Sequence, residues 1–380
     1  MSRPVYLDYN ATTPVAPEVA AAIRPFLHED FGNPSSSHPI GQQARAAVLQ
    51  SRQQVATLIN AAPDEIVFTG CATEANNLAL LGVAAKAPAG RRHLVVSAVE
   101  HPAVMQPALH LQRHGWQLSI VPVDARGRVA PSAVAAVLRP DTALVSVMHA
   151  NNEVGTIQPV GEIAALTRPR GILLHTDAAQ SAGKIGVDVE ALGVDLLTLA
   201  GHKCYATKGV GALYVRSGTP IGGIMFGADQ EHGLRPGTEN VPAIVGFGVA
   251  ARLARERLPE ATAHLRRLRD GLHTLLAGAI PGLVLNGDPD ARLPNTLHIS
   301  FPGVTGRMLL QDASAVVAAS VGSACHSEHD AVSGVLAAMG VDPARAAGAV
   351  RLSVGWTTTD DDVARAAAGL IAGWRQLARQ

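Results

Sequence analysis

An α/β architecture, with a large domain on a mostly parallel sheet and a smaller α/β domain after it, is predicted by three features of the sequence. Between residues 65 and 200 short apolar runs alternate with helical stretches, the rhythm of strands joined by crossover helices. Polar residues gather where those runs end, as they do along the carboxyl edge of a parallel sheet. The chain's 380 residues, 47% of them hydrophobic, also exceed the ~250–300 at which a single core stops growing.

Taken in order, residues 1–15, which include Tyr6-Leu-Asp-Tyr-Asn-Ala-Thr-Thr-Pro14, form a short extended piece that breaks at a turn. Ala44, Val48, Val55, Leu58 and Ile59 recur at helical spacing between Gly41 and Ala62, and Pro63-Asp64 stops that helix. Glu65–Gly70 reads as a strand, and a helix opens directly after it at Ala72. Strands follow at Leu94–His101, Leu118–Val123, Ala143–Asn152, Gly171–Gln180, Val194–Ala200 and Gly209–Arg216, with helices such as Pro131–Leu138 and Val160–Thr167 among them. Gly222–Gly237 is a polar, glycine-rich loop of the kind that carries function or subunit contacts.

A long helical region runs from Val241 towards Leu276, with a domain boundary expected near Leu258-Pro259. The large domain is then 16–258 and the small one 259–380, with segment 1–15 packing on the latter. In the second part Leu283–Asn286, Thr296–Phe301, Ala315–Val321 and Ala349–Gly355 read as strands and Ala331–Met339 as a helix. Asp360–Leu377 is an amphipathic closing helix whose acidic first turn suits the helix dipole.

Composition removes several functional classes. Lys+Arg and Asp+Glu each number 31, so no overall field draws the chain to nucleic acid, membrane or acidic ligands. Aromatics at 3% leave little for base stacking. Three cysteines, Cys71, Cys204 and Cys325, are an odd number, which indicates free thiols in a reducing compartment. The start has no apolar signal region, and the longest apolar stretch, Ala243–Ala251, is too short to span a bilayer, so a cytoplasmic protein is expected. No Gly-x-Gly-x-x-Gly follows the first strand, which disfavours a dinucleotide oxidoreductase.

The expected site centres on Lys203, in Gly201-His202-Lys203 at the end of the apolar run Val194–Ala200. Burial favours the uncharged amine of such a lysine, the form that makes a Schiff base, although a lysine merely capping a strand has the same setting. The neighbouring run ends in Thr176-Asp177-Ala-Ala-Gln180, placing a carboxylate and an amide at the same sheet edge. Pyridoxal phosphate needs that pairing: a lysine for its aldehyde and an acid for its pyridine nitrogen. The helix start at Ala72-Thr73 offers free N–H groups and a hydroxyl for a phosphate, or a plain N-cap. His101, Asn152 and His202 stand at other strand exits, and Cys71 and Cys204 are expected to fill space beside the helix start and the lysine.

Two further groups admit rival readings. In Gly322-Ser-Ala-Cys325-His326-Ser-Glu-His329 a thiol beside two imidazoles could be a nucleophile, a metal ligand lacking an evident fourth partner, or an inert loop cysteine. Arg351 could clamp a substrate carboxylate or form a structural ion pair.

Seven motifs carry a resemblance across nearly the whole chain: Asp-Tyr-Asn-Ala-Thr-Thr-Pro (8–14), Gly-Asn-Pro-Ser-Ser (32–36), Ala-Asn-Asn-Glu-Val-Gly (150–155), His-Thr-Asp-Ala-Ala-Gln (175–180), Gly-His-Lys (201–203), Arg-Pro-Gly-Thr-Glu-Asn (235–240) and Gly-Ser-Ala-Cys-His-Ser (322–327). Together they closely resemble the cysteine desulfurase and selenocysteine lyase branch of the fold-type-I pyridoxal-phosphate (PLP) enzymes, the class V aminotransferase-like proteins. That resemblance implies a mostly parallel seven-stranded sheet and a homodimer. It implies that Lys203 carries the cofactor, Asp177 holds its pyridine nitrogen, His101 stacks on the ring and Gln180 meets the ring oxygen. Thr73 and His202 would bind the phosphate, and Thr238 would reach the phosphate of a neighbouring subunit. Asn152 and Arg351 would hold the substrate carboxylate, with Cys325 as nucleophile, Lys203 moving the Cα proton, and a persulfide and alanine as products. A sulfur or selenium acceptor protein would follow.

The chain departs from the pattern at Ala200, where many desulfurases have serine, at Tyr205-Ala-Thr, at Gly227-Ala-Asp-Gln-Glu, and at Trp356, where arginine is frequent. Cys325-His-Ser-Glu-His is similar to the animal selenocysteine lyases, so L-selenocysteine stands second to L-cysteine as the implied substrate. A PLP transaminase that does not use Cys325 and a non-catalytic sulfur carrier are further alternatives.

Overall fold

A computed structural model describes residues 3–322 and 333–379. Its strands are β1 Val5–Tyr6, β2 Ile66–Thr69, β3 His93–Ser97, β4 Gln117–Val121, β5 Thr142–Ser146, β6 Leu173–Asp177, β7 Leu196–Ala200, β8 Gly211–Val215, β9 Val284–Leu285, β10 Thr296–Ser300, β11 Val317–Ala318 and β12 Ala349–Ser353. Seven of them form the main sheet in the order β2-β8-β7-β6-β5-β3-β4.

Strands β4, β3, β5, β6 and β7 are parallel, whereas β8 runs antiparallel to both neighbours. The reason lies in the connections: helices link the parallel strands, while only the short turn 201–210 joins β7 to β8, too little chain for a crossover. Strands β3, β5 and β7 are buried at every position, as expected of a sheet covered by helices on both faces. A separate sheet, β12-β10-β9, is antiparallel, and β1 pairs with β11 in parallel.

The helix Val241–Ala279 is 39 residues long and passes through Pro259. Its residues up to Ala254 are buried in the core under the main sheet, and those from Leu265 on are buried in a second core with Val5, Leu7, β10, β12 and the helix Asp360–Leu377. Among the described residues no helix is long and apolar enough to cross a membrane.

Several expected strands are shorter. The stretches 94–101 and 143–152 leave the sheet at Ser97 and Ser146, so His101 becomes the N-cap of helix Pro102–Arg113 and Asn152 sits in the turn beyond β5. The run 315–321 yields only the two residues of β11, since alanine and serine are weak strand formers. The helix expected from 331 is described from Gly334, where the Ser333 hydroxyl accepts from the N–H groups of Val335 and Leu336.

Candidate active site

The carboxyl ends of β6 and β7 and the start of helix Ala72–Lys86 open onto one cavity of about 260 Å³. Thr73, His101, Asn152, Asp177, Gln180, His202, Lys203 and Arg351, eight of the residues singled out from the sequence, line it. Thr238 does not; it lines a separate cleft with Gly70, Glu231 and Arg235. Cys325 lies outside the described residues, as do His326 and His329.

Lys203 ends a short 3₁₀ turn after β7, and its Nζ donates to the carbonyls of Asn10 at 2.5 Å and Ala11 at 2.7 Å. The same N-terminal stretch grips the turn on either side. Thr13 donates through its amide and hydroxyl to the His202 carbonyl, each at 3.0 Å, and accepts from the Tyr205 amide at 2.9 Å. Tyr205 is in the left-handed region, φ 65°, a strain that such contacts hold in place. Its ring stacks on Trp356 at 3.8 Å and its hydroxyl accepts from the Trp356 amide at 2.7 Å. Trp356 therefore braces the lysine turn.

Asp177 is 6% exposed, and its two oxygens accept from Asn76 Nδ2 at 2.7 Å and from the Ala179 amide at 2.9 Å. Asn76 stands one helical turn after Thr73, on the same face of the helix Ala72–Lys86. That helix has no side-chain cap: Cys71 occupies the N-cap position without a hydrogen bond from its side chain. Its leading N–H groups face the cavity rim with the positive end of the dipole, an anion site by construction. Gly211 permits the approach of β8, because a Cβ there would lie 2.7 Å from the Cys71 carbonyl carbon.

His202 contacts the Thr12 hydroxyl at 3.1 Å, and burial together with Lys203, Lys208 and Lys184 holds its pKa down at about 4. It is neutral at pH 7 and can serve an anion as a hydrogen-bond donor. His101 caps its helix by accepting from the Ala103 amide at 3.1 Å, which fixes the ring at the cavity mouth. Arg351 is 1% exposed; Nη1 donates to the Asn152 carbonyl at 3.0 Å and Nη2 to Asp8 at 2.8 Å, while Nε is buried without a hydrogen bond among the described residues. Arg351 thus forms an ion pair and also lines the cavity.

Four contributors escaped the residue-by-residue reading: Asp8, Asn10, Asn76 and Lys184. Asn10 joins the most elements. Its carboxamide donates to the Asn152 carbonyl and the Thr296 hydroxyl and accepts from Asn295 and Lys184, and its carbonyl takes Lys203 and Gln180. Position in the 8–14 motif was its one signal. The expectation for Cys204 agrees with a thiol 3% exposed that donates to the Ala182 carbonyl, but Cys71 is exposed at the cavity rim and fills no space, because a residue heading a helix at a sheet edge has no layer above it.

A mostly parallel sheet with an amine, a carboxylate and a helix N-terminus at its carboxyl edge is the arrangement that the resemblance to fold-type-I PLP enzymes implied. Comparison with known proteins agrees. The family profile described as Aminotransferase class-V matches residues 5–366. The chain is 44% identical over 364 residues to "Cysteine desulfurase IscS" of Dictyoglomus turgidum, covering 96% of this chain and 92% of that one. It is 42% identical over 363 residues to "Cysteine desulfurase NifS" of Azotobacter vinelandii, covering 95% and 90%. A solved NifS-like protein superimposes with a TM-score of 0.91 at 38% identity, covering 98% of this chain and 99% of that one. The chain belongs to the class V aminotransferase family, whose members depend on pyridoxal phosphate.

The residues present fit that cofactor. The cavity brings an amine, a carboxylate and an uncapped helix start together, and Asn76 Oδ1 is buried beside Asp177 without a partner among the described residues. Ala200 lines the cavity without a hydroxyl, and the side chains of Thr73 and His202 line it together with the start of the helix Ala72–Lys86.

Proposed function

We propose that this chain is a PLP-dependent cysteine desulfurase, converting L-cysteine to L-alanine and leaving the sulfur as a persulfide on Cys325. The observation that carries this reading is a single cavity faced by Lys203, Asp177 and Arg351, in a chain 42–44% identical to proteins named cysteine desulfurases over nearly its whole length. Residues 16–258 would form the cofactor-binding domain, with 259–380 bringing Cys325 to the cavity.

When bound, pyridoxal phosphate supplies an electron sink that acidifies the Cα–H of an amino acid. Lys203 would hold it and would also be the amine that moves the Cα proton, with the Asn10 and Ala11 carbonyls in reach of its Nζ. Asp177 would hold the pyridine nitrogen, Gln180 would meet the ring oxygen, and His101 would lie against the ring. Thr73, His202 and the helix start take the phosphate, and Thr238 would serve the phosphate of a second copy. Arg351 and Asn152 orient the substrate carboxylate. The Cys325 thiolate then attacks the substrate sulfur: the S–S bond forms, the Cβ–S bond breaks, its electron pair stays on Cβ, and Cβ takes a proton. Cysteine plus one thiol thus balances as alanine plus one persulfide.

A homodimer is supported by Phe226, 97% exposed in the 222–237 loop that leads to Thr238, with Met225 beside it. An apolar side chain so placed calls for a covering surface. Selenocysteine lyase is the second reading, favoured by Cys325-His-Ser-Glu-His.

The deciding experiment compares alanine release from L-cysteine and L-selenocysteine by the PLP-loaded protein and its Cys325→Ala variant. Loss of at least about 100-fold with L-cysteine in the variant is expected, the scale of a removed nucleophile or acid–base group. Full turnover by the variant would point to a transaminase, and turnover of selenocysteine alone to a dedicated lyase. In the same assay Arg351→Lys is expected to raise KM for L-cysteine about tenfold with a smaller change in kcat, since lysine cannot contact Asp8 and a carboxylate through one fork.

A further inference from the structure

Lys184 lies four residues beyond Gln180, in the turn after β6, and is 6% exposed. Its Nζ donates to Gln180 Oε1 at 2.9 Å and to Asn10 Oδ1 at 3.3 Å. Burial and the nearby charges of Lys203 and Arg351 push its pKa down to about 7, with Cys204 acting the other way and His202 also within its field. A buried amine facing two carboxamides has a consequence for their orientation. The oxygen and nitrogen ends of a carboxamide are alike in shape and opposite in function, so their neighbours decide which end faces where. The Asn10 carbonyl only accepts, so the Gln180 atom facing it is the NH₂, and the carbonyl oxygen is the end that meets Lys184, whose amine can donate to it in either charge state. In this structure that NH₂ donates to the Asn10 carbonyl at 3.0 Å, which Lys203 also uses. When the NH₂ turns from that carbonyl to a group in the cavity, the bond to Lys184 is what keeps the oxygen end away.

We propose that Lys184 is a positioning residue for the cofactor pocket: by holding the Gln180 and Asn10 carboxamide oxygens, it presents the Gln180 NH₂ to the cavity as a donor for the ring oxygen of the cofactor. This rests on the PLP reading of the cavity. A donor at that oxygen stabilises its anionic form and thereby lowers the proton affinity of the nitrogen joining cofactor and Lys203, which the visible absorption band reports. Lys184 touches neither substrate nor cofactor, so its effect passes through Gln180.

The test titrates the visible band of the loaded protein against pH and measures PLP affinity by titrating cofactor-free protein. Lys184→Met, neutral and unbranched, is expected to raise the band's titration midpoint by about one unit and to weaken PLP binding about tenfold, the size of one hydrogen bond. In a Gln180→Leu background the same substitution is expected to change neither quantity. Lys184→Arg, which keeps the donor, should hold the wild-type midpoint. An unchanged midpoint in Lys184→Met overturns the proposal, and so does an equal shift in both backgrounds, which would mean that the charge of Lys184 acts directly. Should Lys184→Met fail to fold, Gln180→Glu carries the test. With one carboxylate oxygen held by Lys184, the other faces the ring oxygen, so the midpoint rises further than in Gln180→Leu; equal midpoints overturn the proposal. Absence of any visible band in loaded wild-type protein would overturn the PLP reading, and the proposal with it.

Discussion

Replacing Lys203 by alanine is expected to lower alanine release from L-cysteine by about 10⁴-fold or more. On the proposed mechanism two roles are lost at once, the covalent hold on the cofactor and the amine that moves the Cα proton, and no other lysine lines the cavity among the described residues. Lys184, the other lysine behind the cavity, is committed to the carboxamides of Gln180 and Asn10. Lys208 is five residues beyond Lys203 and does not line the cavity. Steady-state alanine release at saturating L-cysteine checks this, with folding followed by circular dichroism. Retention of more than about one per cent of wild-type turnover would mean that another base serves Cα, since a single positioned proton-transfer group supplies at least about 10²-fold.

The second large effect falls on stability. Asn10 is 1% exposed, and its carboxamide makes four hydrogen bonds, to Asn152, Thr296, Asn295 and Lys184. Asn10→Ala leaves buried donors on Asn295 and Lys184 and a buried carbonyl on Asn152 without that partner. Unsatisfied buried groups cost about 1–3 kcal/mol each, and with partial repair by neighbours the loss should be about 3 kcal/mol. Chemical denaturation read at the midpoint, with an unchanged slope, measures it. A loss below about 0.5 kcal/mol, the effect of an ordinary surface change, would show that the network re-pairs without Asn10. Asn10→Asp, which keeps the two acceptor contacts, should lose less.

Most of what positions the site was legible because it follows from strand ends. Asp177 and Lys203 stand at or just past the last residues of two buried apolar runs, and adjacent parallel strands must bring such ends together. Thr73 follows the same logic through the helix that begins after β2. The stretch 8–14 was legible only as a motif, because its partners are far away in sequence: Ser353 and Thr296 on one side, His202 to Tyr205 on the other. No periodicity announces a segment whose purpose is to donate and accept across a gap. Lys184 escaped for a related reason, since a buried lysine reads like an exposed one until its carboxamide partners are located. Cys71 shows the opposite error, a small residue assumed to be filler that the topology leaves at an open rim.

The stack of Trp356 on Tyr205 gives the molecule a built-in optical probe. The chain has three tryptophans; Trp116 is buried with the helices beyond β3, and Trp374 donates to the Pro302 carbonyl on the closing helix. Trp356 alone among them touches the turn that presents Lys203, two residues from the reactive amine, with the Arg257 guanidinium 5.3 Å from its ring centre on the other side. Its emission overlaps the absorption of pyridoxal phosphate, so loading of the cavity is expected to quench it by energy transfer without any label, and a Trp356→Phe variant measures how much of the quenching belongs to this indole.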